Sequence, residues 1–476
     1  MTALTDFRDS LRRDDILDHL RQGLIGDGVP FETPFGTQRL LYADYVASGR
    51  ALRQVEAFVA EQVLPFYANS HTEASFCGMT MTRMREEGRA AIARLVDAGD
   101  GCHVVFTGSG ATSGINRIVN LLRVSERVRA GERVVVICGP YEHHSNILPW
   151  RETGAEMVEV AEAETGGVNM DDLSRALKAA DGADLVIGTF SAASNVTGIL
   201  TDTEAVTAAL KAAGALAIWD YAGGGPYLPM SMQGKDAIVF SAHKFAGGPG
   251  ASGVLVLRDT VVQRATPTQP GGGSVSFVSP RSHAYSARVT AREEAGTPNV
   301  VGDIRAALVM LVKDAVGTDR IHHREQELRA RALRVWDAVP QMEVLGRRAP
   351  ALPIFSFRIR EGGGGYVHHQ LFTRMLSDMT GIQARGGCAC AGPYAHRLMG
   401  IDDTASEALF ARLQAGEELA KPGWVRLNLS WLHSDVQADR IIAAVANLVA
   451  NAAELSARYI GDPVTARFRV ADMAAE

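Results

Sequence analysis

The sequence has few cysteines, no long apolar run and no cluster of basic residues. Its five cysteines among 476 residues, a small and odd number, argue against an extracellular disulfide framework and favour a reducing compartment. No apolar run is long enough for a transmembrane helix, and the opening MTALTDFRDSLRRDDILDHL offers no apolar stretch for a signal peptide. A net charge of −6 without a run of Lys or Arg disfavours a nucleic-acid-binding surface. We therefore expect a cytoplasmic protein that binds neither membranes nor nucleic acids.

What the sequence does have, from Cys102 onward, is an alternation of short apolar runs with amphipathic segments. The apolar runs are HVVFT (103–107), RVVVI (133–137), AEMVEV (155–160), DLVIGTF (184–190), LAIWD (216–220), DAIVF (236–240) and SGVLVL (252–257). Because most of these runs are continuously apolar, they predict an α/β fold with a mostly parallel sheet covered by helices on both faces. Ligands of such sheets bind at the carboxyl ends of the strands, so the residues after each run matter most.

The length of the chain is enough for two domains. Leu and Ile at helical spacing from Asp9 to Leu24 predict a helix within an N-terminal helical segment over residues 1–35. The alternating pattern places the large α/β domain over 36–310. A connecting helix, interrupted at Gly317, and a smaller α+β domain are expected over 311–476.

Residues suited to chemistry follow the first two runs. HVVFT leads into GSGATSGIN (108–116), a Gly-rich turn before a helix, and the backbone N–H groups at such a helix start suit a phosphate. RVVVI leads to the adjacent His143 and His144, which could bind a metal, stack on a cofactor or face solvent. Zinc would need a third ligand, and no well-spaced candidate follows. Taken alone, the Gly-rich turn is equally compatible with a tight turn that binds nothing. The histidine pair, taken alone, is most simply a pair of exposed side chains.

The next runs also end in polar residues. SNVTG places Asn195 on a loop, which alone is typical of a turn. LAIWD ends in Asp220, a carboxylate that is costly to bury without a positive partner and is otherwise typical of a helix N-cap or turn. DAIVF is followed by SAHK, where a partly desolvated Lys244 would be a nucleophile for carbonyls, although a lone lysine is usually a solvated charge.

Together, these features at the strand ends are more specific than any one of them alone. A phosphate-binding turn, a stacking imidazole, an amide, an acid and a lysine at successive strand ends together predict a site for pyridoxal 5′-phosphate. In such a site a helix N-terminus binds the phosphate, the acid keeps the pyridine nitrogen protonated, and the lysine holds the cofactor covalently.

These residues stand in motifs that resemble the class V aminotransferase family of fold type I pyridoxal-phosphate enzymes, and within it the shorter-loop cysteine desulfurases and selenocysteine lyases. The resemblance extends from about Tyr42 to Ile441. Its motifs are GAT (110–112), EHHSN (142–146), SNVTG (194–198), WD (219–220), SAHK (241–244), GTPN (296–299) and the R-x-x-x-x-C of Arg385 and Cys390. The resemblance implies a large domain with a mostly parallel sheet covered by helices and a smaller α+β C-terminal domain.

The resemblance also implies roles. Lys244 would bond the cofactor, Asp220 would pair with its pyridine nitrogen, and His143 would stack on its ring and move protons. The other cofactor-binding residues would be Asn195 near the phenolic oxygen and Ala111, Thr112, Ser241 and His243 at the phosphate. Thr297 would reach the phosphate of a neighbouring subunit, which implies a homodimer with composite sites. Arg426 would bind the substrate carboxylate, a bidentate task that suits arginine, and Arg385 would also contact the substrate.

The stretch GGCACAGP (386–393) is the most distinctive loop, because its cysteines could hold a metal, form a disulfide or carry reactive sulfur. A metal is disfavoured because a second cysteine pair is lacking. By the resemblance, Cys390 is the nucleophile of a cysteine desulfurase: its thiolate attacks the sulfur of L-cysteine, leaving a persulfide and alanine. Cys388 would resolve the persulfide, relay it or be only a small neighbour.

Three departures from the family pattern bear on the substrate. Gly223 stands where the family usually has a glutamine, and Gly387, Cys388 and Ala389 replace the histidines common before the nucleophile. The stretch 394–423 is longer than expected and could form a helical lid or a partner surface over the site. A sulfur-acceptor protein is a further expected partner.

Two alternatives to the desulfurase follow from these departures and from the fold. One is a pyridoxal-phosphate C–S lyase, aminotransferase or epimerase acting on another amino acid. The other is a sulfur-trafficking scaffold with little turnover, which the presence of Lys244 disfavours.

Overall fold

The computed structural model describes residues 2–69, 73–348, 350–388 and 390–471. In these ranges the helices are α1 (Ala3–Ser10), α2 (Ile16–Gln22), α3 (Arg53–Phe58), α4 (Phe76–Leu95), α5 (Gly110–Leu121), α6 (Val124–Arg129), α7 (Leu148–Arg151), α8 (Met170–Ala179), α9 (Thr203–Ala212), α10 (Val289–Glu293), α11 (Val300–Val316), α12 (Thr318–Trp336), α13 (His369–Thr380), α14 (Gly392–Met399), α15 (Asp403–Gln414), α16 (Asp435–Ala450) and α17 (Ala452–Ser456). Among these described helices, none is both long and apolar enough to cross a membrane.

The strands of the same ranges are β1 (Pro30–Thr33), β2 (Gly36–Arg39), β3 (Leu41–Tyr42), β4 (Cys102–Gly108), β5 (Val134–Cys138), β6 (Glu156–Glu159), β7 (Leu185–Ser191), β8 (Leu216–Asp220), β9 (Ala237–Ser241), β10 (Gly253–Arg258), β11 (Val275–Val278), β12 (His283–Tyr285), β13 (Met342–Val344), β14 (Ile354–Ile359), β15 (Ile382–Gln383), β16 (Arg385–Gly387), β17 (Trp424–Asn428), β18 (Tyr459–Gly461) and β19 (Phe468–Val470). The chain divides into two compact units.

The first unit comprises Met1–Ile25, Ser48–Ala193 and Thr201–Arg320. Its centre is a seven-stranded sheet in the order β4-β10-β9-β8-β7-β5-β6. The strands β6, β5, β7, β8 and β9 are parallel, and β10 is antiparallel to both of its neighbours, β9 and β4. The predicted mostly parallel sheet is therefore confirmed. The carboxyl ends of β4, β5, β7, β8 and β9 lie at one edge of it.

Both faces of this sheet are buried, as the continuous apolar runs predict. Along β5, Val135 and Ile137 pack into one apolar cluster, whereas Val134 and Val136 pack into another. Successive side chains of a strand point to opposite faces, so a strand that is apolar at every position requires cover on both sides.

The N-terminal helix expected over 9–24 is two helices, α1 and α2. Its apolar period breaks between the buried Leu11 and the buried Ile16, because the positions that would continue the same face, Asp14 and Asp15, are both acidic. At the start of α1, the side chain of Thr2 caps the helix by accepting from the backbone N–H of Thr5, which explains why helix begins earlier than the spacing of Leu and Ile suggests.

A buried lysine holds the loop that follows β8. Lys313 lies on α11, and its Nζ donates hydrogen bonds to the carbonyl oxygens of Gly225, at 2.7 Å, and Leu228. Burial lowers the pKa of Lys313 from 10.5 to about 7.

We expect the stabilisation of the wild-type protein relative to a Lys313→Met variant to increase as the pH rises from 7 to 10. Across this range the unfolded state binds the Lys313 proton and the folded state does not, so a rise in pH favours folding of the wild type alone. The difference in free energy of unfolding should change by up to about 1.4 kcal/mol per pH unit in denaturant titrations. The matched control is Lys178→Met, which replaces an exposed lysine. If the difference in free energy of unfolding between the wild type and Lys313→Met does not change with pH, the lowered pKa of Lys313 is contradicted.

The second unit comprises Gly26–Ala47, Ser194–Leu200 and Ile321–Glu476. It contains an antiparallel four-stranded sheet in the order β13-β14-β17-β16, and β3 pairs in parallel with β15. Buried residues of this sheet, such as Phe357 and Leu427, share one apolar cluster with Trp336 of α12, Phe372 of α13 and Val445 of α16. The unit is thus a smaller α+β layer. Two segments that are distant in sequence from its main part, 26–47 and 194–200, belong to it.

Candidate active site

In the first unit, most of the predicted cofactor residues lie at the edge of the sheet where the parallel strands end. Ala111 and Thr112 follow β4, His143 follows β5, Asp220 ends β8, and Ser241, His243 and Lys244 end or follow β9. Because β10 lies between β4 and β9 in the opposite direction, both of its neighbours end at this edge.

The start of α5 is tied to the end of β9. The backbone N–H of Ala111 donates to Ser241 Oγ at 2.9 Å. Gly110 adopts a φ of +71°, and a Cβ there would lie 2.8 Å from Ser241 Oγ, so a side chain would both strain the backbone and fill the space. The result is a close approach of Ser241 to the start of α5, and the positive end of a helix is a suitable place for an anion.

The imidazole of His143 is linked to helix α5 through Ser145. Its Nδ1 accepts the backbone N–H of Ser145 at 3.1 Å, which puts the proton of the neutral ring on Nε2. Ser145 Oγ lies 3.0 Å from His143 Nδ1 and 2.8 Å from Thr112 Oγ1, so Ser145 connects the imidazole to the first turn of α5. The ring of the neighbouring His144 is tilted at 47° to that of His143. Within the described ranges, no group of three or more His, Cys, Asp or Glu residues could hold a metal ion.

Asp220 and Lys244 form the charged part of this edge. Asp220 is 4% exposed, and its Oδ1 accepts the backbone N–H of Ala222 at 2.7 Å. Burial raises the pKa of Asp220, while the Ala222 hydrogen bond and the positive charge of Lys244 oppose the rise. Burial, followed by the charge of Lys244, lowers the pKa of His243. The amine of Lys244 therefore influences both an acid and an imidazole.

A second buried acid, Glu142, was not singled out by the sequence. Its Oε1 accepts the backbone N–H of Ser191 at 2.8 Å, and its Oε2 accepts Ser191 Oγ at 2.8 Å and Asn146 Nδ2 at 2.5 Å. Burial raises the pKa of Glu142 to about 7, and the charge of Asp220 adds to the rise. Glu142 joins the ends of β5 and β7. Its place in the EHHSN motif, beside His143, was the available signal.

In the second unit, Arg426 lies on β17 and is 3% exposed. Its Nη1 donates to the carbonyl oxygen of Asn195 at 3.1 Å, and its Nη2 donates to Asp44 Oδ1 at 3.0 Å. The other oxygen of Asp44 accepts Arg385 Nε at 3.1 Å. The structure therefore joins Arg426 directly to Asn195, and to Arg385 through Asp44, an acid that the sequence did not reveal.

The cysteine loop begins directly after β16. Cys388 is partly buried and its carbonyl oxygen accepts the backbone N–H of Ala391 at 3.2 Å, whereas Cys390 is exposed. Ala389 lies outside the described residues. Cys390 adopts a φ of +55°, the left-handed conformation that non-glycine residues rarely occupy and that recurs at functional positions.

The remaining predicted features are Thr297 and the stretch 394–423. Thr297 is exposed in the loop before α11, in the first unit. The stretch 394–423 of the second unit is largely helical, with most of α14, all of α15 and a short 3-10 turn at Glu418–Ala420. No residue of α15 is buried, and the ring of Phe410 is 65% exposed.

Comparisons with known proteins agree on the family. The sequence profile of the aminotransferase class-V family matches residues 41–408. A cysteine desulfurase of Cronobacter sakazakii is 28% identical over 414 residues, which are 86% of this chain and 93% of that protein. A probable cysteine desulfurase of Streptomyces coelicolor is 26% identical over 384 residues, which are 78% of this chain and 88% of that protein.

Solved structures share the fold. A cysteine desulfurase from Thermococcus onnurineus superposes with a TM-score of 0.71 at 23% identity, covering 86% of this chain and 94% of that one. A cysteine desulfurase from Escherichia coli gives a TM-score of 0.69 at 22% identity, covering 96% and 99%. At these identities the likeness establishes the predicted fold type I architecture. With its profile match over most of the length, the chain belongs to the aminotransferase class-V family.

Proposed function

We propose that the protein is a pyridoxal-phosphate-dependent cysteine desulfurase that converts L-cysteine into L-alanine and carries the released sulfur as a persulfide on Cys390. The curated relatives named cysteine desulfurase support this reaction. The structural observation that carries the proposal is the exposed Cys390, held in a left-handed conformation on the loop that follows β16. The small, odd number of cysteines supports a reducing, cytoplasmic location.

Pyridoxal phosphate is the cofactor of this family, and the residues of the first unit fit it. The start of α5, with Gly110, Ala111 and Thr112 close to Ser241 and His243, suits the phosphate, because a helix N-terminus binds anions and the close approach at Gly110 leaves no room for a Cβ. Asp220 is a buried acid suited to a protonated pyridine nitrogen, and Lys244 is an amine within its electrostatic influence. When bound, the cofactor withdraws electrons from the amino acid attached to it.

The chain's own residues then have separable tasks. His143, with its Nε2 carrying the proton of the neutral ring, is the proposed residue that stacks on the cofactor and exchanges protons, and Asn195 is the proposed partner of the phenolic oxygen. Arg426 binds the substrate carboxylate through its guanidinium, with Arg385 beside it. Cys390 supplies the thiolate. Its sulfur bonds to the sulfur of cysteine, the carbon–sulfur bond of the substrate breaks, and a proton takes the place of sulfur on that carbon to give alanine.

Two partners belong to the proposal. Thr297 is exposed, which supports a role at the phosphate of a second copy and hence a homodimer. Large exposed apolar side chains of the first unit, among them Phe76 (63% exposed) and Phe277 (57% exposed), support the burial of surface against another chain. A persulfide on an exposed thiol also requires an acceptor, for which a sulfur-acceptor protein is the candidate.

One observation favours a second candidate function, a C–S lyase, aminotransferase or epimerase acting on another amino acid. Gly223 lies in the turn after Asp220, where the family usually places a glutamine, so a side-chain contact to the phenolic oxygen is lost there. Such loop residues decide the reaction on a shared fold.

The test of the proposed function is product analysis with the cofactor-loaded protein. L-cysteine and a thiol reductant should give L-alanine and sulfide in equal amounts. Pyruvate and ammonia would instead show a C–S lyase. Absence of any product from cysteine would contradict the desulfurase and direct the assay to other amino acids.

A further inference from the structure

We infer that Asp44 is a positioning residue for the substrate carboxylate and acts through Arg426. The inference rests on the proposed function, in which Arg426 binds that carboxylate. It comes from the second unit alone, where Asp44 is buried between two arginines.

Arg385 and Arg426 lie opposite each other on neighbouring strands of the four-stranded sheet. Arg385 of β16 and Arg426 of β17 are directly opposed Cα partners in an antiparallel pair. Like charges in that position repel each other and destabilise the pairing. Asp44 divides its two carboxylate oxygens between them, at 3.0 Å from Arg426 Nη2 and 3.1 Å from Arg385 Nε. The group of three carries one net positive charge, which matches one substrate carboxylate.

The position of Asp44 is built by the backbone around it. Asp44 follows β3, and the N–H of Ala43 donates to the carbonyl oxygen of Gln383 at 2.9 Å, next to β16. On the other side, the N–H of Asn428, at the end of β17, donates to the carbonyl oxygen of Ala43 at 2.8 Å, and Asn428 Oδ1 accepts the N–H of Val46 at 3.1 Å. The segment is therefore anchored to β17, which carries Arg426, and to β15, which directly precedes the strand of Arg385.

The guanidinium of Arg426 is oriented by two fixed acceptors, Asp44 Oδ1 and the carbonyl oxygen of Asn195. A planar guanidinium held in this way is preorganised to receive a carboxylate. Asp44 thus lowers the ordering cost of substrate binding without touching the substrate.

Asp44→Asn is the informative variant. The amide keeps the size of the side chain but replaces one acceptor oxygen by a donor, so one of the two arginines loses its partner. We expect KM for L-cysteine to rise at least about tenfold while kcat changes less than about threefold. With L-cysteine methyl ester, which lacks the carboxylate, the loss in kcat/KM should shrink to less than about threefold.

A matched control is Asp378→Asn. Asp378 is also buried in the second unit, where it accepts Arg374 Nε at 2.7 Å. Both variants should lower Tm, but only Asp44→Asn should raise KM. Calorimetry should show weaker binding of L-alanine to the Asp44→Asn holoenzyme, with binding of L-alanine methyl ester unchanged.

The outcomes separate this inference from the proposed function. Equal losses for cysteine and its methyl ester, or an unchanged KM, would overturn the role of Asp44 while leaving the desulfurase in place. If the wild type makes no alanine, the proposed function fails, and calorimetry, which needs no turnover, still tests Asp44. Equal binding of L-alanine and its ester by the wild type would then overturn the inference.

Discussion

Replacement of Lys244 by Ala is expected to abolish the visible absorbance of the covalently held cofactor and to lower kcat/KM for alanine formation at least about a thousandfold. Lys244 ends the short turn after β9, and its charge affects the pKa of both Asp220 and His243. An amine in this setting is suited to a covalent bond with an aldehyde. The side chain of alanine is a methyl group, which is not a nucleophile and cannot form that bond. Absorption spectra and product assays on the purified variant measure both effects.

The matched control uses the other end of the same strand. Lys235 precedes β9, is 4% exposed, and has a pKa that burial lowers. Lys235→Ala should keep the cofactor spectrum, because that lysine lies at the opposite edge of the sheet. Borohydride reduction followed by mass mapping should place the cofactor on Lys244 in the wild type. A reduced adduct on another lysine of the wild type would show that the wrong amine has been assigned.

Much of the first unit was predictable because its determinants are local. Continuous apolar runs such as that of β5 require two covered faces, and the polar residues after β5, β8 and β9 mark the edge where ligands bind. The reversed direction of β10 was not predicted, since an apolar run does not encode its direction. The break between α1 and α2 became interpretable only once Leu11 and Ile16 were both known to be buried.

The second unit was less accessible, because its key contacts join residues that are far apart in the chain. Asp44 and Arg426 are separated by 382 positions, and Asp44 stands in RLLYADY, a run with no feature other than that of a short strand. The family resemblance suggested Arg426 but could not supply its counter-ion. Glu142 was missed for a related reason: its burial, which raises its pKa, depends on β7 and not on its own motif.

Replacement of Cys390 by Ala should stop persulfide formation and lower alanine formation at least about a thousandfold, with the cofactor spectrum retained. The exposed thiol is the atom that accepts sulfur, and the second unit that carries it does not hold Lys244. Persulfide can be measured by alkylation of the protein after a single turnover with L-cysteine and mass analysis of the loop peptide. The same peptide contains Cys388, so fragmentation must identify the modified residue.

The backbone at Cys390 gives this prediction a second, independent readout. A non-glycine residue at a φ of +55° costs about 1–2 kcal/mol, so Cys390→Gly should be more stable than Cys390→Ala in denaturant unfolding while being equally inactive. Cys390→Gly would thus relieve the backbone strain and lose the reaction, which is the result expected where a protein retains strain for its function. Cys388→Ala is the matched control and should still form the persulfide. If Cys388→Ala abolishes the persulfide and Cys390→Ala does not, the sulfur is carried by Cys388, and the strained position serves only to place the loop.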